Sequence, residues 1–240
     1  MAHDKLFKKK AKVSDFNFGK KTAEVFDDML DRSVPFYTEV QSMINQMVSE
    51  FAVEGTNVYD LGCSTANTFI QMNGNIPKGV TLVGIDNSEE MLKIARKKLA
   101  ALRFPIKHEF ICEDMNKRFT IRNASVVILN LTLQFIRPIY RERTIANIAA
   151  GLNEGGCLIL VEKVLSPHST LNRLFIKYYY EFQKRNEYSE MEIARKREAL
   201  ENVLVPYHFD ENRELLLNNG FKTCDTFFRW YNFCGIVALK

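Results

Sequence analysis

A chain of 240 residues with 46% hydrophobic and 26% charged residues is long enough for one full α/β domain, or two small ones, and its composition is that of an ordinary soluble globular protein. No apolar run nears the roughly 20 residues that a membrane-spanning helix needs, and the polar start MAHDKLFKKKAKVSDF has no signal-peptide core, so a cytoplasmic protein off the membrane is expected. A net charge of +4 gives little support to nucleic-acid binding; Lys8, Lys9, Lys10 and Lys12 carry much of it within residues 1–18, expected as a flexible tail.

Apolar runs of strand length then alternate with amphipathic segments of helical length. AEVFDDMLDRSVPFYTEVQSMINQMVSEFA predicts two helices broken at Pro35. TNVYDLG predicts the first strand, and Ser64 to Met72 can open a helix. GVTLVGID predicts the second strand, followed by a helix from Ser88 to about Arg103, with Asn87 or Ser88 as cap and Glu89 and Glu90 at the positive end of the dipole. HEFICED and ASVVILNLTL predict the third and fourth strands. Arg141 to Leu152 is a helix with Ile145, Ile148, Ala149 and Leu152 on one face, and GGCLILVEKV is the fifth strand. Helices follow over Leu171–Lys184 and Ser189–Val203, where SEME fits a capping box. A last helix starts at Asp210, with Gly220 as its C-cap, and FKTCDTFFRWYNFCGIVALK makes a hairpin turning at Tyr231 and Asn232.

This order predicts an α/β Rossmann-like fold. It has a mostly parallel seven-stranded sheet, a C-terminal antiparallel hairpin and extra flanking helices. Residues 19–240 form a single domain, covered by helices over about 19–53 and 169–204. The five cysteines, Cys63, Cys112, Cys157, Cys224 and Cys234, include no C-x-x-C pair, and the histidines lie near none of them at ligand spacing, so packed thiols and no metal are expected. Cys112 and Cys157 fall in or beside predicted buried strands. Cys63 is expected to offer small size and a backbone N–H rather than a thiolate.

In open α/β sheets the ligand sits beyond the carboxyl ends of the strands. Those ends carry Asp60 and the loop Gly62–Cys63–Ser64, then Asp86 with Asn87, Asp114, Asn130, and Glu162 with Lys163. Asp86 falls about 24 residues after Gly62, where an acid grips ribose hydroxyls; a helix cap is its competing role. Asp114 suits an adenine amino group, with Met115 packed on the ring. Asn130 interrupts an apolar strand, and a buried Asn without partners costs about 1–3 kcal/mol, so it too points to a ligand. The loop replaces the second and third glycines of G-x-G-x-x-G by Ser64 and Ala66. That argues against a dinucleotide pyrophosphate and for an adenosine ligand without phosphates, namely S-adenosyl-L-methionine (SAM).

The segments DLGCS, GIDNS, NASVVILNLTLQF, GLNEGGCLILVEK, YSEMEIARKREALENV and YNFCGIVALK, with EVFDDMLDRSVPFY near the start, resemble the carboxy-S-adenosyl-L-methionine synthase family. The likeness runs from about residue 14 to the end, and is looser over FIKYYYEFQKRNEYSE. SVPFY and KREALENV are its more specific parts, because they lie outside the common methyltransferase core. The resemblance implies a transferase of the carboxyl- and carbamoyltransferase type, making carboxy-SAM and phenylpyruvate from SAM and prephenate. Prephenate loses carbon dioxide as its ring aromatises; the SAM methyl, deprotonated to a sulfonium ylide, captures it, and hydroxide leaving prephenate can serve as the base. The product feeds wobble-uridine (5-oxyacetyluridine) modification by a tRNA carboxymethyltransferase, and a homodimer is expected.

The same resemblance places SAM contacts on Tyr37, Gly62, Cys63, Ser64, Asp86, Asn87, Asp114, Met115 and Asn130. It makes Arg197 the carboxylate-binding and catalytic arginine, which can reach a neighbouring subunit's site. The residues themselves agree in offering no Cys–His pair, no Ser-His-Asp order and no obvious protein base at the strand ends, and a substrate-derived base needs none. Tyr37, Tyr178, Tyr179 and Tyr180 could form a cover, with ordinary packing as the alternative. A conventional SAM-dependent methyltransferase or a non-catalytic SAM-binding module shares these strand ends. Arg197 also has an alternative, as a surface ion-pair residue of a charged helix.

Overall fold

The computed structural model describes residues 3–8, 15–72, 74, 76–117 and 119–240; Lys9, Lys10 and Lys12 lie outside them. Five parallel strands carry the sheet: β1 (Asn57–Leu61), β2 (Thr81–Asp86), β3 (His108–Cys112), β4 (Ala124–Asn130) and β5 (Leu152–Leu165). The antiparallel pair β7 (Thr223–Trp230) and β8 (Phe233–Leu239) closes it in the order β3-β2-β1-β4-β5-β8-β7. An unforeseen two-residue strand, β6 (Tyr207–His208), adds to the far end of β5, making eight strands.

Side-chain alternation sorts β1 into two cores. Tyr59 and Leu61 join Val83, Ile85, Val127, Leu129 and Leu160 on one face. Val58 joins Leu82, Val126, Ile128 and Ile159 on the other. Helix α6 (Pro138–Gly151) covers the first face through Ile145 and Ile148, with Leu216 of α9 (Phe209–Leu217). Helices α3 (Tyr37–Phe51), α4 (Asn67–Gln71) and α5 (Glu89–Ala101) cover the second through Ile44, Val48, Phe69, Ala95 and Leu99. Each such fully buried Val, Leu, Ile or Phe side chain contributes about 1.5–3 kcal/mol. A strand buried on both faces fits only the interior of the sheet.

Differences from the sequence reading follow from position. β3 is an edge strand, so Cys112 is exposed rather than buried, whereas Cys157 in β5 is fully buried. The fourth strand stops at Asn130, because Leu131 turns to φ 59° and Leu133–Phe135 winds into one 3₁₀ turn. The helix expected from Ser64 starts only at Asn67, since Ser64 and Ala66 both take positive φ. Ser88 does cap α5, its Oγ accepting from the Met91 N–H at 3.2 Å.

The helical cover comprises α1 (Lys20–Ala23), α2 (Phe26–Ser33) and α3 on one side, with α7 (Ser169–Arg185) and α8 (Glu190–Leu200) on the other. Ser189 and Glu192 form the capping box that starts α8. Arg32 ties the two sides together, lying 4.1 Å over the Tyr188 ring and donating to the Asn186 carbonyl at 2.9 Å. Part of the segment read as a tail is seated on this cover: Asp4 is 1% exposed and accepts from the Tyr188 hydroxyl at 2.6 Å.

Candidate active site at the strand ends

The carboxyl ends of β1, β2, β4 and β5 open under the cover into a pocket. The loop after β1 forms its floor. Gly62 takes φ 79°, and a Cβ there would collide with the Thr132 side chain, so both backbone and space require glycine. The Gly62 and Cys63 N–H groups donate to the Ile85 carbonyl at 2.7 and 3.2 Å, and Ala66 N–H to the Cys63 carbonyl at 2.8 Å. Ser64 N–H donates to Asp86 Oδ2 at 2.9 Å. These donors are thus engaged within the protein, which leaves the loop poorly suited to a phosphate. The N–H expected from Cys63 is therefore internal, and burial pushes its thiol well above the ordinary range.

Asp86 serves two purposes at once. Its Oδ1 accepts from Ser88 N–H at 2.8 Å while Oδ2 holds the loop. Each oxygen retains a lone pair for a ligand hydroxyl. Burial raises its pKa against these hydrogen bonds. Asp60 on the neighbouring strand is 2% exposed, and its Oδ2 has no hydrogen-bond partner among the described residues. Burial, opposed by a Thr68 hydrogen bond and aided by the Asp86 charge, pushes Asp60 up to about 7. An acceptor left bare inside a protein is costly, so Asp60 is matched to a donor or cation that a ligand brings.

Asp114, Met115, Asn87 and Asn130 all line the same pocket. Asp114 Oδ1 accepts from the Asn116 backbone and side chain, both at 2.9 Å. Asn130 Oδ1 is buried with no partner among the described residues. From the cover comes Tyr37, whose hydroxyl accepts from Gln41 at 2.8 Å and whose pKa burial pushes up to about 12, so it stays a protonated donor. Tyr179 also lines the pocket, while Tyr178 packs against the Tyr231 ring with centroids 5.0 Å apart and Tyr180 lines a different hollow.

A half-buried ion pair, not evident from the sequence, fixes loop and cover together. Asp27 of α2 accepts from Thr65 Oγ1 at 2.6 Å, Asn67 Nδ2 at 2.9 Å and Lys98 Nζ at 2.8 Å. Burial works against ionisation, yet the bonds from Lys98 and Thr65 hold Asp27 below the usual carboxylate range.

At the β5 end the character reverses. Lys163 lies 4.1 Å over the Tyr179 ring, and Lys196 donates to Ser33 Oγ at 2.5 Å; both line the pocket. Arg197, one residue further, is exposed and lines a separate hollow with Tyr180, Glu181 and Glu190. Within one chain, the expected site residues therefore converge except for Arg197. Among the described residues no group of three or more His, Cys, Asp or Glu is placed to hold a metal. No helix among them is long and apolar enough to cross a membrane.

Strand order, the glycine loop and the acids at the strand ends define a SAM-dependent methyltransferase fold. A methyltransferase-domain family model matches residues 58–156. Magnesium protoporphyrin IX methyltransferase from Synechocystis, solved with bound SAH, aligns at TM-score 0.60 and 16% identity over 88% of this chain and 86% of that one. Full-length relatives are more specific. Carboxy-S-adenosyl-L-methionine synthase of Methylococcus capsulatus is 54% identical over 100% of both chains, and that of Sulfurimonas denitrificans is 45% identical over 99% of this chain and 100% of its own. The chain belongs to the carboxy-S-adenosyl-L-methionine synthase family.

Proposed function

We propose that this protein is an enzyme that converts SAM and prephenate to carboxy-SAM and phenylpyruvate. The observation that carries the SAM half is Asp60, a buried carboxylate with a bare oxygen beside a loop whose N–H groups are engaged. Such a floor suits a nucleoside with a cationic end and no phosphate. The full-length relatives named for carboxy-SAM synthesis support the rest.

SAM supplies a methyl group made acidic by its sulfonium. In this reading Asp60 takes the methionyl ammonium, Asp86 the ribose hydroxyls and Asp114 the adenine amino group, while Met115 packs on the ring. Asn87, Asn130 and the Tyr37 hydroxyl complete the contacts, and Gly62, Cys63 and Ser64 give the backbone room to approach. Phe16, Phe18, Tyr179 and Phe233 wall the pocket, and an apolar cover limits the escape of carbon dioxide and the entry of water.

Arg197 is proposed to bind a carboxylate in the pocket of a second subunit of a homodimer, which its outward position on α8 favours. A cytoplasmic tRNA carboxymethyltransferase then uses the product, with no tRNA contact by this chain. The test is mass spectrometry of the small molecules released by denaturation after incubation with SAM and prephenate. A species heavier than SAM by one carbon dioxide, with phenylpyruvate alongside, is expected. S-adenosylhomocysteine with prephenate untouched would instead mark a conventional methyltransferase, and unchanged SAM a binding module.

A further inference from the structure

Lys163 raises a question that the SAM contacts leave open. It is a lysine near the end of β5, in the register Lys163–Phe233 against β8, and its Nζ lies over the Tyr179 ring at 4.1 Å and 5.4 Å from the Phe233 ring. No carboxylate among the described residues pairs with this half-buried lysine, although an ammonium set among aromatic rings without a counter-ion is costly. Aromatic faces recover only part of that cost. Burial and the Lys196 charge together push Lys163 down to about 7. Two lysines, one of them on β5, thus line the same pocket as Asp60 on β1 and Asp86 on β2.

We propose that Lys163, with Lys196 behind it, is the carboxylate-binding side of the pocket and receives a carboxylate of the second substrate. The placement favours that substrate over SAM's own methionyl carboxylate. Asp60 and Lys163 lie on strands separated by β4, a lateral distance of roughly 10 Å. Lys163 also sits two residues beyond Val161, the partner of Asn130, and so further along the strand toward the cover. Tyr179, Phe233 and Leu131 line the pocket with Lys163 and offer apolar walls to a six-membered ring. An arriving carboxylate supplies the counter-ion that the fold omits.

The proposal rests on the two-substrate reading above, and direct binding separates it from turnover. Protein loaded with S-adenosylhomocysteine, which has no methyl to react, is titrated with prephenate by calorimetry. Lys163→Met is expected to raise the prephenate Kd at least 10-fold while the SAM Kd stays within about threefold. Lys163→Arg should restore most of the prephenate affinity, and Lys196→Met should cause a smaller loss. If Lys163→Met does not fold, Lys163→Gln takes its place. An unchanged prephenate Kd, or a loss confined to SAM, overturns the assignment, the latter by giving Lys163 to the methionyl carboxylate. Prephenate binding to wild type without carboxy-SAM formation would refute the reaction and leave the subsite standing. No prephenate binding to wild type would remove both.

Discussion

The β1–β2 end of the pocket and its β5 end differ in how they hold their charges. Asp86 is gripped by two backbone N–H groups from residues 64 and 88, and the loop beneath it is fixed by short backbone hydrogen bonds and by glycine geometry. Lys163 and Lys196 are long side chains from β5 and α8, steadied by the Tyr179 ring and the Ser33 hydroxyl. The acid end is therefore preorganised and the basic end adaptable. Such a division suits a ligand of fixed shape at one end and a reacting, changing partner at the other.

The largest effects are expected where the rigid end is broken. Gly62→Ala must place a Cβ at φ 79° against Thr132. Backbone strain and overpacking together cost about 2–5 kcal/mol, a drop of roughly 5–15 °C in the thermal midpoint for a domain of this size. An unchanged midpoint would show that the loop yields and that the acid end is not rigid. Asp86→Ala removes the proposed ribose acceptor and strands two backbone donors, so SAM affinity should fall about 100-fold, equivalent to about 3 kcal/mol. Calorimetry that finds wild-type affinity would undo the ribose assignment.

A pH titration sharpens the comparison, because Asp60 and Lys163 carry shifts of opposite sense. Asp60 is raised to about 7 from an ordinary 3.8, so between pH 4 and 7 the folded state keeps a proton that the unfolded chain releases. Its contribution to ligand-free stability is present below pH 4 and is lost as pH rises to 7. Glu162, raised to about 8 by burial, adds a dependence of the same sign. Lys163, lowered to about 7 from 10.5, acts the other way: the folded state holds fewer protons between pH 7 and 10.5, and its share of stability grows with pH there. SAM, meeting Asp60 as a carboxylate, should bind about tenfold more tightly at pH 8 than at pH 6. Asp60→Asn should flatten that profile, and a profile that stays steep would assign the titration to another group.

The acid end was largely legible because its determinants are local. Gly62, Ser64, Asp86 and Ser88 lie within 27 residues of one another, and each strand end follows from an apolar run meeting a polar residue. Asp60 was visible as a strand end, but its bare oxygen depends on burial by the cover, which no spacing encodes. Lys163 gave one signal, a lysine ending an apolar strand beside Glu162. Glu162 turned out to bind the Leu133 and Gln134 N–H groups at 2.9 and 2.8 Å and so fixes the turn after β4. Lys196 carried no signal at all, being one cation among several on a charged helix. The edge position of Cys112 likewise depends on strand order, which local pattern does not give.

The smallest effect probes how the basic end is supported. Ser189 Oγ accepts from Glu192 N–H at 3.3 Å, and Glu192 Oε2 accepts in return from Ser189 N–H at 3.0 Å. This box begins the helix that carries Lys196 and Arg197. Ser189→Ala should lower stability by about 0.5–2 kcal/mol, read as a shift in the urea midpoint with an unchanged slope. Since α8 contributes no residue from its first turn to the pocket, SAM affinity should not move. The KM for prephenate should rise about two- to threefold as the α8 N-terminus frays and Lys196 is held less firmly. A matching loss of SAM affinity would mean that the two ends are mechanically coupled through the cover, and the division between a rigid and an adaptable end would then have to be abandoned.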